Sequence, residues 1–145
     1  MRVTVPATSA NLGPGFDALG LALDLRDALE AEVLDSGLVV EVAGSGSDTV
    51  PRDETHLVVQ AMRVGFDALD VRPPGLRLSC RNLIPHARGL GSSSAAIVGG
   101  LALARHLVQD GPARMDDARL FGLAAEMEGH PDNVGPACFG GFVIC

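Results

Sequence analysis

The chain has no lysine: all 11 basic residues among its 145 are arginines. That absence excludes a Walker A loop, which needs a lysine directly after its last glycine. There is no basic block either, and the net charge is −7, so a nucleic-acid partner is not expected. An acidic protein also offers an anionic ligand no attraction from its overall field. A bound phosphate therefore needs local donors and a divalent cation. Long apolar runs are missing: the longest, Ala95 to Ala104, is too short to cross a bilayer and reads as a buried helix, with no membrane partner. The N-terminus is mixed and carries Pro6 and Asn11 early, unlike a secretion signal. Cysteine is scarce; Cys80, Cys138 and Cys145 have no metal-type spacing, and their odd number does not suggest a disulfide framework. A reducing cytoplasm is the expected compartment. Internal repeats and low-complexity linkers are absent too, so residues 1–145 read as one mixed α+β domain. That length suffices to bury about two-thirds of the unfolded surface.

What is present divides cleanly. Val3-Thr4-Val5 alternates as a short strand that stops at Pro6, and a turn-rich stretch, Ala7 to Asp17, follows. Leu29 to Leu34 and Leu38 to Ala43 are strand-like and separated by Asp35-Ser36-Gly37, which predicts a hairpin. After a small-residue loop, Gly44 to Pro51, the pattern from Thr55 turns helical, with Val58, Met62, Phe66 and Leu69 on one face. Leu76 to Cys80 alternates as a strand, and Ala95 to Val108 is a helix apolar nearly all round, so it belongs at the centre. Gly111-Pro112 breaks it, and a third helix is expected from about Met115 to Glu128, burying Leu120, Leu123, Ala124 and Met127. The sequence closes on a strand-like run, Gly141 to Cys145. A domain seldom ends on an apolar strand, so the chain reads as the N-terminal part of a longer protein.

Three patches carry side chains that an unadorned fold would not need. The central one is Pro85, His86, Ala87, Arg88, Gly89, Leu90, Gly91, Ser92, Ser93, Ser94 and Ala95, between a strand and the apolar helix. Glycines let backbone approach a ligand closely. Serines at a helix start add hydroxyls to N–H groups without intrahelical partners, on the positive end of the helix dipole. This reads as an anion site, and most naturally a phosphate site; taken alone, the loop also reads as a Gly-rich turn capping a core helix. The second patch, Thr8 to Asp17, offers Asn11 and Asp17 to a small polar substrate, and Asp17 suits an ammonium group; taken alone it also reads as a turn. The third, Glu128 to Pro136, crowds Glu128, His130, Asp132 and Asn133 at a helix end. A zinc cluster is the weaker reading, because no metal-type spacing supports it. A carboxylate and a serine hydroxyl holding Mg²⁺ against ATP phosphates fit better.

Together the patches resemble the homoserine kinases of the GHMP kinase superfamily. The superfamily mark is Pro-x-x-x-Gly-Leu-Gly-Ser-Ser (Pro85 to Ser93). Pro6 to Asp17 and Glu-Gly-His-Pro-Asp-Asn-Val (Glu128 to Val134) are the more specific matches. The resemblance covers the whole chain but only about the first half of the family's usual length. It implies a GHMP kinase N-terminal domain, similar to the second domain of ribosomal protein S5 with a left-handed crossover, and a C-terminal domain lying beyond Cys145. It implies ATP-dependent phosphorylation of the side-chain hydroxyl of L-homoserine, a step toward threonine. Residues Pro85 to Ala95 would wrap ATP, and Ser93 and Glu128 would hold Mg²⁺. Asn11, Asp17, His130 and Asn133 would bind homoserine. Asn133 would orient the hydroxyl while the γ-phosphate takes the proton, with Asp132 as the competing candidate base. His56 could touch adenine or simply open its helix. A homodimer is compatible with the resemblance. The family's carboxylate-binding arginines would lie past Cys145, so this chain alone is not expected to turn over. Two other readings stand beside this one: a non-catalytic nucleotide-binding module, and a GHMP kinase for mevalonate or a sugar.

Overall fold

The computed structural model describes residues 1–13 and 18–144. Strands β1 (Arg2–Ala10), β2 (Leu19–Leu34), β3 (Gly37–Gly44), β4 (Gly75–Asn82) and β5 (Phe142–Ile144) form one sheet. Its order is β1-β2-β4-β3, and β5 pairs with the beginning of β2. Helix α1 (Leu57–Ala68) connects β3 to β4, and α2 (Ser92–Leu107) follows β4. A short α3 (Gly111–Arg114), then α4 (Asp117–Glu128) and α5 (Val134–Phe139), lead to β5.

Alternation in β4 decides which side is the core. Leu76, Leu78 and Cys80 are buried, while Arg77 and Arg81 are exposed between and after them. The buried set meets Val58, Val59, Met62 and Phe66 of α1, and Leu103 and Ala104 of α2. A second cluster joins Val5 and Ala7 of β1 to Ile97, Val98 and Leu101 of α2, Leu120 and Ala124 of α4, and Val134 of α5. Helix α2 contributes to both clusters, so it is the central element that its all-round apolar sequence predicts. Each fully buried side chain of this size contributes roughly 1.5–3 kcal/mol. The sheet's other face carries exposed pairs such as Arg2–Glu30 at 3.5 Å, which stabilise little. Among the described residues no helix is long and apolar enough to cross a membrane.

Three expectations need correction. Asp35-Ser36-Gly37 does turn the chain, but β2 and β3 are not neighbours. Strand β4 lies between them, antiparallel to β2 and parallel to β3. A turn signal is local and says nothing about what enters between the arms. Here Gly75 heads β4 into the opening, where a Cβ would come within 2.5 Å of the Ser36 carbonyl carbon. Strand β1 does not stop at Pro6: it runs to Ala10, with a register shift between Pro6 and Thr8. At the sheet edge the missing N–H costs nothing. Gly111-Pro112 does not break a helix still running, since α2 has ended at Leu107 and Pro112 sits in the first turn of α3. Asp116 is the N-cap of α4, its side chain accepting from the Arg119 N–H at 2.8 Å. Leu120 and Ala124 are buried on that helix, and Leu123 and Met127 are half-buried.

Candidate active site

The phosphate-loop candidate is anchored at four points. At its entrance, Asp27 Oδ1 on β2 accepts from the N–H groups of Leu83 and Ile84 at 2.6 and 2.9 Å. The His86 N–H donates to Ser45 Oγ at 3.2 Å. The Thr8 N–H donates to the Leu90 carbonyl at 3.0 Å. Gly91, at φ 65°, is the N-cap of α2 and lies directly on Thr8, where a Cβ would sit 1.9 Å from Thr8 Oγ1. Only glycine fits there, for both reasons. No side chain caps α2, so the first-turn N–H groups at Ser92, Ser93 and Ser94 stay available to an anion. Ser94 Oγ is buried without a hydrogen-bond partner among the described residues. Ala95 packs into the core, so its contribution to the loop is through backbone alone.

Ser93 Oγ donates to Glu128 Oε1 at 2.6 Å, across 35 residues of sequence. The pair therefore joins the start of α2 to the end of α4, where Gly129 at φ 93° stops the helix. One hydroxyl and one carboxylate are a donor set that suits Mg²⁺, which keeps waters and phosphate oxygens for its other positions.

Beside it lies the polar cluster of the third patch. Asp132 is 2 % exposed, and both of its oxygens are engaged. Oδ1 meets His130 Nδ1 at 3.1 Å and the Asn133 N–H at 2.9 Å, while Oδ2 accepts from Asn11 Nδ2 at 3.3 Å. Thr8 is fully buried and donates from Oγ1 to Asn133 Oδ1 at 2.8 Å. The amide nitrogen of Asn133 is thereby directed away from Thr8. Gly91 closes the circuit, because a Cβ there would also reach 3.1 Å from Asn133 Oδ1. The three sequence patches are thus one site. Asp17, expected to meet an ammonium group, lies outside the described residues.

A cavity of about 240 Å³ adjoins the loop and is lined by Asp27, His56, Asn82, His86, Ser92 and Ser93 with apolar neighbours. His56 opens its helix. It caps α1, accepting the Val58 N–H on Nδ1 at 3.2 Å, and it faces this cavity. Burial, then the charge of His86, holds its pKa below the usual 6.5. Burial raises the pKa of Asp27 against the two backbone bonds that favour its charge. Thr8 and Asp27 are the site residues that motif reading missed. The available signal for Asp27 was its phase: in alternating β2 it falls in line with Leu25, Leu29 and Ala31, where only apolar side chains belong. Thr8 gave none, since a buried threonine in a strand is ordinary.

Comparison with known proteins gives the family and the fold. The family model described as GHMP kinases N terminal domain matches residues 56–141. The homoserine kinase of Streptomyces coelicolor is 59% identical over 144 residues, covering 99% of this chain and 47% of that protein. That of Mycolicibacterium smegmatis is 57% identical over 97% of this chain and 44% of its own. A solved homoserine kinase from Cytophaga hutchinsonii superposes with a TM-score of 0.86 at 30% identity, over 99% of this chain and 47% of that one. A Listeria monocytogenes structure gives 0.81 at 40% identity, over 99% and 48%. Mevalonate kinase of Methanococcus jannaschii, at 14% identity and a TM-score of 0.70 over 98% of this chain and 52% of that one, shares the fold alone. The chain spans about half the length of the curated relatives it matches.

Proposed function

We propose, from the premise that this chain belongs to the GHMP kinase family, that it supplies the nucleotide-binding half of an enzyme phosphorylating the side-chain hydroxyl of L-homoserine with ATP. The observation that carries the reading is the Ser93–Glu128 contact at 2.6 Å, set at the uncapped start of α2 and beside the Asn11–Asp132–Asn133 cluster. The loop from Pro85 to Ala95 holds the triphosphate with backbone N–H groups and serine hydroxyls. Ser93 and Glu128 hold Mg²⁺, which when bound neutralises charge on the transferring phosphoryl group.

On the acceptor side, Asn11, His130 and Asn133 take homoserine, joined by Asp17 at its ammonium. Asn133 has given its oxygen to Thr8, so it meets the acceptor hydroxyl or the γ-phosphate as a donor and cannot take a proton. Asp132 is held on both oxygens by Asn11, His130 and the Asn133 N–H. It orients the site instead of acting as its base, and the proton leaves on the phosphate. Phosphoryl transfer depends mainly on positioning and charge, so a site without a strong base is chemically sufficient.

The test joins residues 1–145 to the C-terminal half of the Streptomyces coelicolor relative and measures ADP release. Turnover that needs Mg²⁺ and prefers homoserine to mevalonate is expected, and Glu128→Gln should cut it by about 100-fold or more. Undiminished turnover in that variant would remove Glu128 from the metal, and preference for another alcohol would overturn the acceptor.

A further inference from the structure

We propose that Asp27 is the nucleoside-selecting residue of the cavity beside the phosphate loop, its second carboxylate oxygen accepting a hydrogen bond from the base or sugar of the bound nucleotide. This rests on the nucleotide reading of that cavity and goes beyond it. Asp27 is 6 % exposed and lines the cavity together with His56, Asn82 and His86. Its Oδ1 carries both backbone bonds, from Leu83 and Ile84. Among the described residues no hydrogen bond reaches Oδ2. Holding the loop entrance does not explain a carboxylate: an asparagine carbonyl could accept the same two N–H groups with no charge to desolvate. Among the described residues that charge meets only the charge of His86 across the same cavity, and Oδ2 gains a hydrogen-bond partner when a ligand brings a donor to it. A nucleoside triphosphate carries donors only on its base and its sugar, since its phosphates are acceptors that the start of α2 claims. Asp27 therefore belongs to the nucleoside end.

The experiment titrates the ¹⁵N-labelled chain with ATP, ITP and 2′,3′-dideoxy-ATP, following backbone shifts around the cavity, for the wild type and for Asp27→Asn. The amide keeps the carbonyl clamp on residues 83 and 84 and turns the other position from acceptor to donor. ATP should bind the variant about tenfold more weakly or worse, as expected for a bond to a charged group. If the base amine is the donor, ITP binds the wild type more weakly than ATP and gains in the variant. If a sugar hydroxyl is the donor, 2′,3′-dideoxy-ATP is the weak ligand and its deficit vanishes in the variant. Equal ATP affinity for both proteins overturns the assignment. Should Asp27→Asn not fold, a wild type indifferent to all three nucleotides overturns it equally. A folded wild type whose cavity none of the three perturbs would sink the nucleotide reading itself, and Asp27 with it.

Discussion

His56 shows how one side chain ties helix formation to the site. Its Nδ1 caps α1, so the proton of the neutral ring is on Nε2, and protonating Nδ1 would break the cap. Burial, and then the charge of His86, make the folded state prefer the same neutral ring, and the pKa falls below 6.5. The unfolded chain binds the proton more readily, so the stabilisation is complete above 6.5 and is lost as the pH drops through the window beneath it. The slope from this one group cannot exceed about 1.4 kcal/mol per pH unit. His56→Asn keeps a capping acceptor that does not titrate. Urea denaturation between pH 7 and 5 should show a flatter decline for the variant than for the wild type. Identical slopes would mean that His56 titrates freely and that the cap survives protonation. At this scale the sequence was half legible. Ser93, Glu128, Asn11, His130 and Asn133 stand in motifs, and the structure brings them together. Thr8 and Asp27 act only because burial and a distant partner give them a role, which no spacing reveals.

The elements were easier to place than to order. Both helices with a clear apolar stripe, and strand β4, fall where periodicity puts them, because each pattern reports burial of a local face. The pairing of β2 with β4 instead of β3 depends on residues 40 or more positions apart, and turn chemistry cannot express it. Close packing of α1 on α2 is equally invisible in a pattern, yet it is readable at Gly100. A Cβ there would stand 2.6 Å from the Val58 carbonyl oxygen and 2.7 Å from Ala61 Cβ, whereas at Gly122 on α4 it would meet nothing within 4 Å. The same substitution should thus have opposite signs. Gly122→Ala gains helix propensity and is expected to stabilise by about 0.5–1 kcal/mol. Gly100→Ala forces the helices apart and should cost roughly 1–3 kcal/mol despite the same propensity gain. Chemical denaturation of the two variants decides it, and a neutral Gly100→Ala would show that α1 shifts freely over α2.

For the molecule as a whole, the decisive fact is that a site assembled from three patches occupies a chain about half as long as its curated relatives. On the proposed function, the described residues would supply phosphate, metal and part of the acceptor contacts. The arginines that the resemblance assigns to the homoserine carboxylate are not among them. Without those groups the acceptor hydroxyl is not held in line, and alignment is most of what such an enzyme provides. The same region leaves apolar surface open. Phe139, Phe142 and Ile144 are 53%, 57% and 73% exposed, and among the described residues β5 pairs only with β2. An unpaired edge flanked by large apolar side chains invites pairing with a second copy. Residues 1–145 alone should therefore bind ATP weakly, release no ADP in the presence of homoserine, and self-associate with rising concentration. Sedimentation velocity should show the association, and Phe142→Ser with Ile144→Ser should return the chain to a monomer without restoring turnover. A wild-type monomer turning over at an ordinary kinase rate, about 1 per second or more, would show instead that these residues already hold the acceptor and that the open edge is harmless.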